Sequence, residues 1–144
     1  PIVSVYLQYP KDTTLPRPMI GVEDSVCQWV FDRGILLGQA GLMGVVISGP
    51  GKHETTDSKS LAMAVHRTLE REFGFPNFRW YRVIREKKAT VKSSPDRQHV
   101  SNDTDQENVF LAGDYTESEY PSTIEAAVRS GEKCAKLILK NERF

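Results

Sequence analysis

The chain has 144 residues and a mass of 16.3 kDa, with 39% hydrophobic and 26% charged residues, the composition of a folded soluble domain. Nineteen Lys and Arg offset nineteen Asp and Glu, which argues against a whole-surface role in binding nucleic acid or an anionic membrane. No apolar run approaches the ~20 residues of a membrane-spanning helix. Two cysteines, Cys27 and Cys134, are too few for a disulfide framework, so a reducing cytoplasm is the expected location.

Pro1 to Tyr9 alternates Val3, Val5 and Leu7 with Ser4, Tyr6 and Gln8, the period of a half-buried strand. Pro10, Pro16 and Pro18 predict a stiff connection that is neither helix nor central strand. A second strand over 26–32 sets Cys27, Trp29 and Phe31 on one face, either as ordinary core or as the wall of an apolar cavity. Gly34, Gly38, Gly41 and Gly44 punctuate the path to a third strand near 43–48, which Gly49-Pro50-Gly51 closes with a turn. Thr56 or Asp57 is the candidate cap of a helix over 57–73, and Gly74 and Pro76 end it. Leu61, Val65, Leu69 and Phe73 share one face of that helix.

Residues 78–91 are rich in aromatic and β-branched types and predict a long strand, with charged Arg85 to Lys88 at a sheet edge or in solvent. The polar run 93–107 shows no period and predicts a mobile loop. A short strand over 108–112 and a long C-terminal helix over 122–140 complete the chain. Ile124, Ala127, Val128, Gly131, Ala135 and Ile138 form the apolar stripe of that helix. The expected class is α+β, a largely antiparallel sheet (strands near 1–9, 26–32, 43–48 and 78–91) covered by the 57–73 helix. The strand and helix of the last third read as a different unit, at the edge of an α/β domain.

Several sites are excluded. His53, His66 and His99 form no metal-ligand spacing and read as ordinary surface or loop histidines, so no metal is expected. Gly49-Pro50-Gly51-Lys52 is followed by His53 and lacks the P-loop spacing, so it reads as a plain turn. Cys134 reads as a buried structural thiol. Asn102-Asp103-Thr104 has the glycosylation pattern, but no signal peptide opens the chain to give it meaning. No G-x-G-x-x-G dinucleotide fingerprint occurs.

The informative segment runs from Asn108 through Leu111-Ala112-Gly113-Asp114-Tyr115-Thr116 to Pro121-Ser122-Thr123-Ile124-Glu125-Ala126-Ala127-Val128-Arg129-Ser130-Gly131. A strand ending at Gly113 lets a ligand approach the backbone, and Asp114 offers a carboxylate where open α/β sheets bind ligands. Ser122 and Glu125 have the spacing of a capping box, which predicts a helix start at Ser122. The free N–H groups and positive dipole end of that helix favour negative charge on a ligand. A capped helix after a Gly-Asp turn, with no ligand, is the alternative.

This segment closely resembles the C-terminal flavin motif of the FAD-dependent amine oxidase and carotenoid desaturase superfamily, nearest to the squalene-associated desaturases (hydroxysqualene dehydroxylases). Gln28 to Arg33, Val46-Ile47-Ser48 and Arg85 to Thr90 are similar to parts of that family's substrate-binding half. The resemblance implies FAD as cofactor. It matches Gly113 to the glycine whose backbone approaches the pyrophosphate and Asp114 to the acidic residue beside the phosphate and ribityl chain. Thr123 and Ile124 match positions under the flavin pyrimidine edge, where negative charge develops on reduction, and Glu125 matches the family glutamate. Residues 1–92 then belong to a substrate-binding domain, 93–107 to the loop, and 108–144 to the end of an FAD-binding domain.

Amine oxidases of the monoamine type commonly carry tyrosine at the position of Thr123, so the resemblance favours the desaturase-like branch. The missing fingerprint and the start at Pro1 predict a C-terminal fragment, inactive and weak in FAD binding by itself. The expected function is that of a FAD-dependent oxidoreductase, desaturase or dehydrogenase in type, acting on an apolar isoprenoid substrate. No catalytic residue is assigned. The alternatives are a flavin-containing amine oxidase fragment and a non-catalytic interaction module. Expected partners are an apolar small molecule, the missing N-terminal FAD-binding region and a second copy through exposed edges. Nucleic acid is not among them. Peripheral contact of the parent enzyme with the inner membrane is a further expectation.

Overall fold

The alternation at the start of the chain produces an interior strand of a five-stranded antiparallel sheet. In the computed structural model, which describes residues 1–23, 25–91, 94, 96, 100–116 and 119–141, the chain divides into two compact units, Pro1–Ala89 and Thr90–Phe144. The first unit contains β1 (Ile2–Gln8), β2 (Met19–Gly21), β3 (Trp29–Asp32), α1 (Arg33–Leu37), β4 (Leu42–Ser48), α2 (Ser58–Phe73) and β5 (Trp80–Glu86). The strand order is β2-β3-β4-β1-β5.

Register decides what each face carries. Val30 opposes Val45, Val45 opposes Val5, and Val5 opposes Val83, one row across four strands. Val3, Val5, Leu7, Met43, Val45 and Ile47 are buried on this side with Leu61, Ala62, Val65 and Leu69 of α2. The side chain of Asp57 caps α2 by accepting from Ser60 N at 2.9 Å, and Gly74, at φ 68°, ends it. The strand expected over 78–91 is confined to β5, an edge strand, and the charged run Arg85 to Lys88 covers its last two residues and the turn beyond them.

β2 and α1 were not expected from the sequence, and one buried carboxylate accounts for both. Asp32 is 1% exposed. Its Oδ2 accepts from Thr14 Oγ1 and from Leu15 N, each at 2.8 Å. Its Oδ1 accepts from Ile35 N at 3.1 Å, which caps α1. The Asp32 N–H donates to Pro18 O at 2.9 Å. The proline-rich connection is thus tied down, and Met19–Gly21 is brought alongside β3. Gly41 completes this corner. At φ 72°, a Cβ there would collide with the carbonyls of Tyr9 and Pro10.

His66 departs from the expectation of a surface histidine. It is 3% exposed, with Nδ1 at 3.1 Å from the Tyr9 hydroxyl and its ring edge-on to Phe78. It occupies the helix face at i, i+4 from Ala62, so the apolar stripe runs through it. His53, by contrast, lies in the turn after β4 and meets Gly49 O at 3.1 Å. The Gly51 N–H there donates to the Glu54 carboxylate, a plain turn. His99 falls outside the described residues.

Burial alone would raise the Asp32 carboxyl, but the hydrogen bonds from Leu15, Thr14 and Ile35 outweigh it and hold it below the ordinary carboxylate range. A depressed value in the folded state stabilises the fold fully above the unfolded value of about 3.9, and that contribution fades as pH falls through the folded value. Asp32→Ala should therefore lower stability by about 2–4 kcal/mol at neutral pH. Urea melts from pH 7 down to pH 3 should show the gap between parent and variant narrowing with acid.

Candidate functional site

The C-terminal segment is organised around α3 (Ile124–Asn141). Its cap lies one residue later than the sequence suggests. Thr123 Oγ1 accepts from Ala126 N at 3.2 Å, and Thr123 O accepts from Ala127 N at 3.0 Å, so Thr123 is the N-cap. Ser122 instead donates its hydroxyl to Asp114 O at 3.0 Å, joining the Gly113–Asp114 turn to the approach of the helix. The Glu125 carboxylate pairs with Arg129 Nε at 2.6 Å, one turn along the exposed surface. Thr123, Ile124 and Glu125 are all exposed, Ile124 at 85%. Gly113 and Asp114 are half-buried.

The helix covers its inner side with small and polar residues. Ala126 and Ser130 are buried and Ala127, Gly131, Cys134 and Leu137 are half-buried, whereas Ile124, Val128, Ile138 and Leu139 are exposed. The expected stripe is therefore rotated toward the small residues. The reason is polar. Asn102, fully buried, donates from Nδ2 to Leu111 O (2.8 Å), Ser130 Oγ (2.8 Å) and Ser130 O (3.2 Å). Gly113 N donates to Ser130 Oγ at 3.0 Å, and Thr116 Oγ1 lies 2.7 Å from the same oxygen. Residues 108–112 consequently hold to their neighbours through isolated bridges, Asp103 to Phe110 and, further on, Val100 to Thr116, in place of a continuous strand. In the run expected as a loop, 93, 95 and 97–99 lie outside the described residues. The glycosylation pattern at Asn102 is moot in the folded chain, because its amide is spent inside this network.

Opposite the α2-covered side, the sheet of the first unit carries a face of exposed aromatic and aliphatic residues interspersed with Ser4, Gln8 and Arg82. Trp29 (46% exposed), Met19 (49%), Trp80 (47%) and Ile84 (47%) stand on it, with Tyr6, Phe31 and Val46 half-buried between them. Gly21 and Gly44 lie beside two of the rings, at distances where a Cβ would make ordinary contact. A Cβ on Gly21 would sit 3.4 Å from the Trp29 indole, and one on Gly44 would sit 3.5 Å from Tyr6. The Arg33 guanidinium lies 5.5 Å from the centre of the Tyr6 ring. Trp29 and Phe31 are thus not core; Cys27, expected on their face, is buried with its thiol directed at Val65 O. Burial pushes that thiol up to about 11.

Residues 5–139 match the family of flavin containing amine oxidoreductases. The chain belongs to this family. Among curated relatives, the hydroxysqualene dehydroxylase of Rhodopseudomonas palustris is 28% identical over 141 residues, covering 96% of this chain and 32% of that protein. The hydroxysqualene dehydroxylase of Zymomonas mobilis is 25% identical, covering 91% of the chain and 31% of the relative. The zeta-carotene desaturase of Synechocystis is 28% identical over 110 residues, 73% of the chain and 22% of the relative. The chain therefore spans about a third or less of the length of these relatives.

Family membership leaves the Ser130–Thr116–Asn102 cluster as the feature the sequence did not announce. Its only sequence signal is a serine at a helix position where the apolar period would want an aliphatic residue. Among the described residues no three His, Cys, Asp or Glu side chains gather at one point. The corrected cap is directly testable. Thr123→Ala should cost about 1 kcal/mol and Thr123→Ser should recover most of it, read from denaturant midpoints followed by helix circular dichroism.

Proposed function

We propose that this chain is the C-terminal portion of a longer FAD-dependent oxidoreductase, desaturase or dehydrogenase in type, that acts on an apolar isoprenoid molecule. The observation that carries the substrate class is the uncovered sheet face with Trp29, Met19, Trp80 and Ile84. The rings and aliphatic groups of this wall offer a hydrocarbon contact area, interrupted by Ser4, Gln8 and Arg82 on the same face. The names of the relatives, hydroxysqualene dehydroxylase and zeta-carotene desaturase, support the same class.

The residues toward FAD fit the group in their chemistry. Gly113 carries no side chain, Asp114 beside it is an acceptor for hydroxyl groups, and Thr123 to Glu125 form an exposed helix start. Ser122 links these two pieces through Asp114 O. When bound, FAD supplies the two-electron oxidation or reduction. The chain's share is to orient the cofactor and, through the first turn of α3, to favour negative charge beside it. Thr123, engaged as the helix cap, stands where an amine oxidase of the monoamine type commonly carries a tyrosine, which favours isoprenoids over amines.

The chain by itself should bind FAD only weakly, because it carries no dinucleotide fingerprint to hold the ADP half. Titration followed by flavin fluorescence should give no stoichiometric micromolar complex. In the longer flavoprotein, squalene-like or carotenoid precursors should bleach the flavin anaerobically while benzylamine does not. The reverse pattern would move the protein to the amine oxidase branch.

A further inference from the structure

Gly113 is the residue at which the flavin reading needs the backbone close to a ligand, and both of its polar groups are already committed. Three partners surround Ser130 Oγ: Gly113 N at 3.0 Å, Asn102 Nδ2 at 2.8 Å and Thr116 Oγ1 at 2.7 Å. The two nitrogens can only donate, so they occupy both lone pairs of the serine oxygen. Its single proton is left for Thr116 Oγ1. Thr116 then directs its own proton to Gly113 O at 2.9 Å, an oxygen that also accepts from Thr116 N at 3.2 Å. The bonds close a one-way ring, Gly113 N–H to Ser130 O–H to Thr116 O–H to Gly113 C=O. Ser130 is 4% and Thr116 1% exposed, so water does not compete for it.

The geometry points to Ser130 and Thr116 as positioning residues that hold the Gly113–Asp114 turn in the orientation required for the flavin. The assignment rests on the flavin reading above. Gly113 takes part passively. Its N–H is not free to meet a phosphate and the Tyr115 ring fills the space a Cβ would take, so what it offers is a fixed peptide plane from which Asp114 projects. Asn102 secures the other end. Its two Nδ2 protons are shared among three acceptors while Oδ1 accepts from no described residue, and its main-chain O accepts from Leu111 N at 2.9 Å.

The test uses amide hydrogen exchange and FAD titration of the 144-residue chain by NMR, with Ser130→Ala, Thr116→Val and Thr116→Ser. In the parent, the Gly113 amide should exchange slowly, and millimolar FAD should shift the amides of Asp114, Ile124 and Glu125. Ser130→Ala should speed Gly113 exchange by about tenfold or more and weaken the FAD-dependent shifts, while the Ala127 amide inside α3 stays protected. Thr116→Val should act in the same direction, and Thr116→Ser, which can rebuild the ring, should behave as the parent. Should Ser130→Ala not fold, the two Thr116 variants carry the comparison. Unchanged Gly113 exchange in a folded ring-breaking variant overturns the assignment, as does faster exchange with an unaltered FAD response. An unsubstituted chain that protects Gly113 yet shows no FAD-dependent shift overturns the flavin reading, and the positioning role with it.

Discussion

The parity of β1 governs the first unit. Because β1 is paired on both edges, sliding it by one residue would turn Val3, Val5 and Leu7 outward and bring Ser4, Tyr6 and Gln8 against α2. Everything else follows from the register that avoids this. Valines line up across four strands beneath one helix, and Tyr6, Trp29, Phe31 and Trp80 stand on the other side. One side of the sheet is filled by its own helix, and the other bears exposed rings among Ser4, Gln8 and Arg82.

The C-terminal unit solves a different problem. Its helix presents Ala126, Ala127, Ser130 and Gly131 inward, residues too small to provide much hydrophobic burial. Cohesion there depends on directed bonds, with Asn102 and Ser130 at the crossing point. Its donors all find acceptors, while the buried Asn102 Oδ1 accepts from no described residue, so the cluster carries one unmet acceptor. Such a cluster defines one geometry sharply, which suits a segment that must present a turn beside a helix start.

The legible parts of this fold were those with a long period. The alternation of β1, the face of α2 through Leu61, Val65 and Leu69, and its Asp57 and Gly74 ends all appear where the pattern puts them. β2 and α1 span three and five residues, too few for any period, and both depend on the long-range bonds of Asp32. His66 was misread because a histidine counts as polar in a pattern, while its partner Tyr9 lies 57 positions away. In the 111–131 segment the helix start is legible, but the spacing of Ser122 and Glu125 points to the wrong cap. Two adjacent hydroxyl residues competed for the cap, and the contact of Ser122 with Asp114 left that role to Thr123.

The two thiols fall one in each unit, and their surroundings differ. Cys27 is sealed beneath the sheet with its ionisation pushed up to about 11, whereas Cys134 sits half-buried on α3. A thiol reagent attacks only the thiolate, and only when it can reach it. Alkylation at Cys27 therefore has to wait for the first unit to open, and its rate is a clock for that opening. Cys134 offers a faster label on the other unit, so a single mass spectrum taken over time can follow both without adding any probe to the chain.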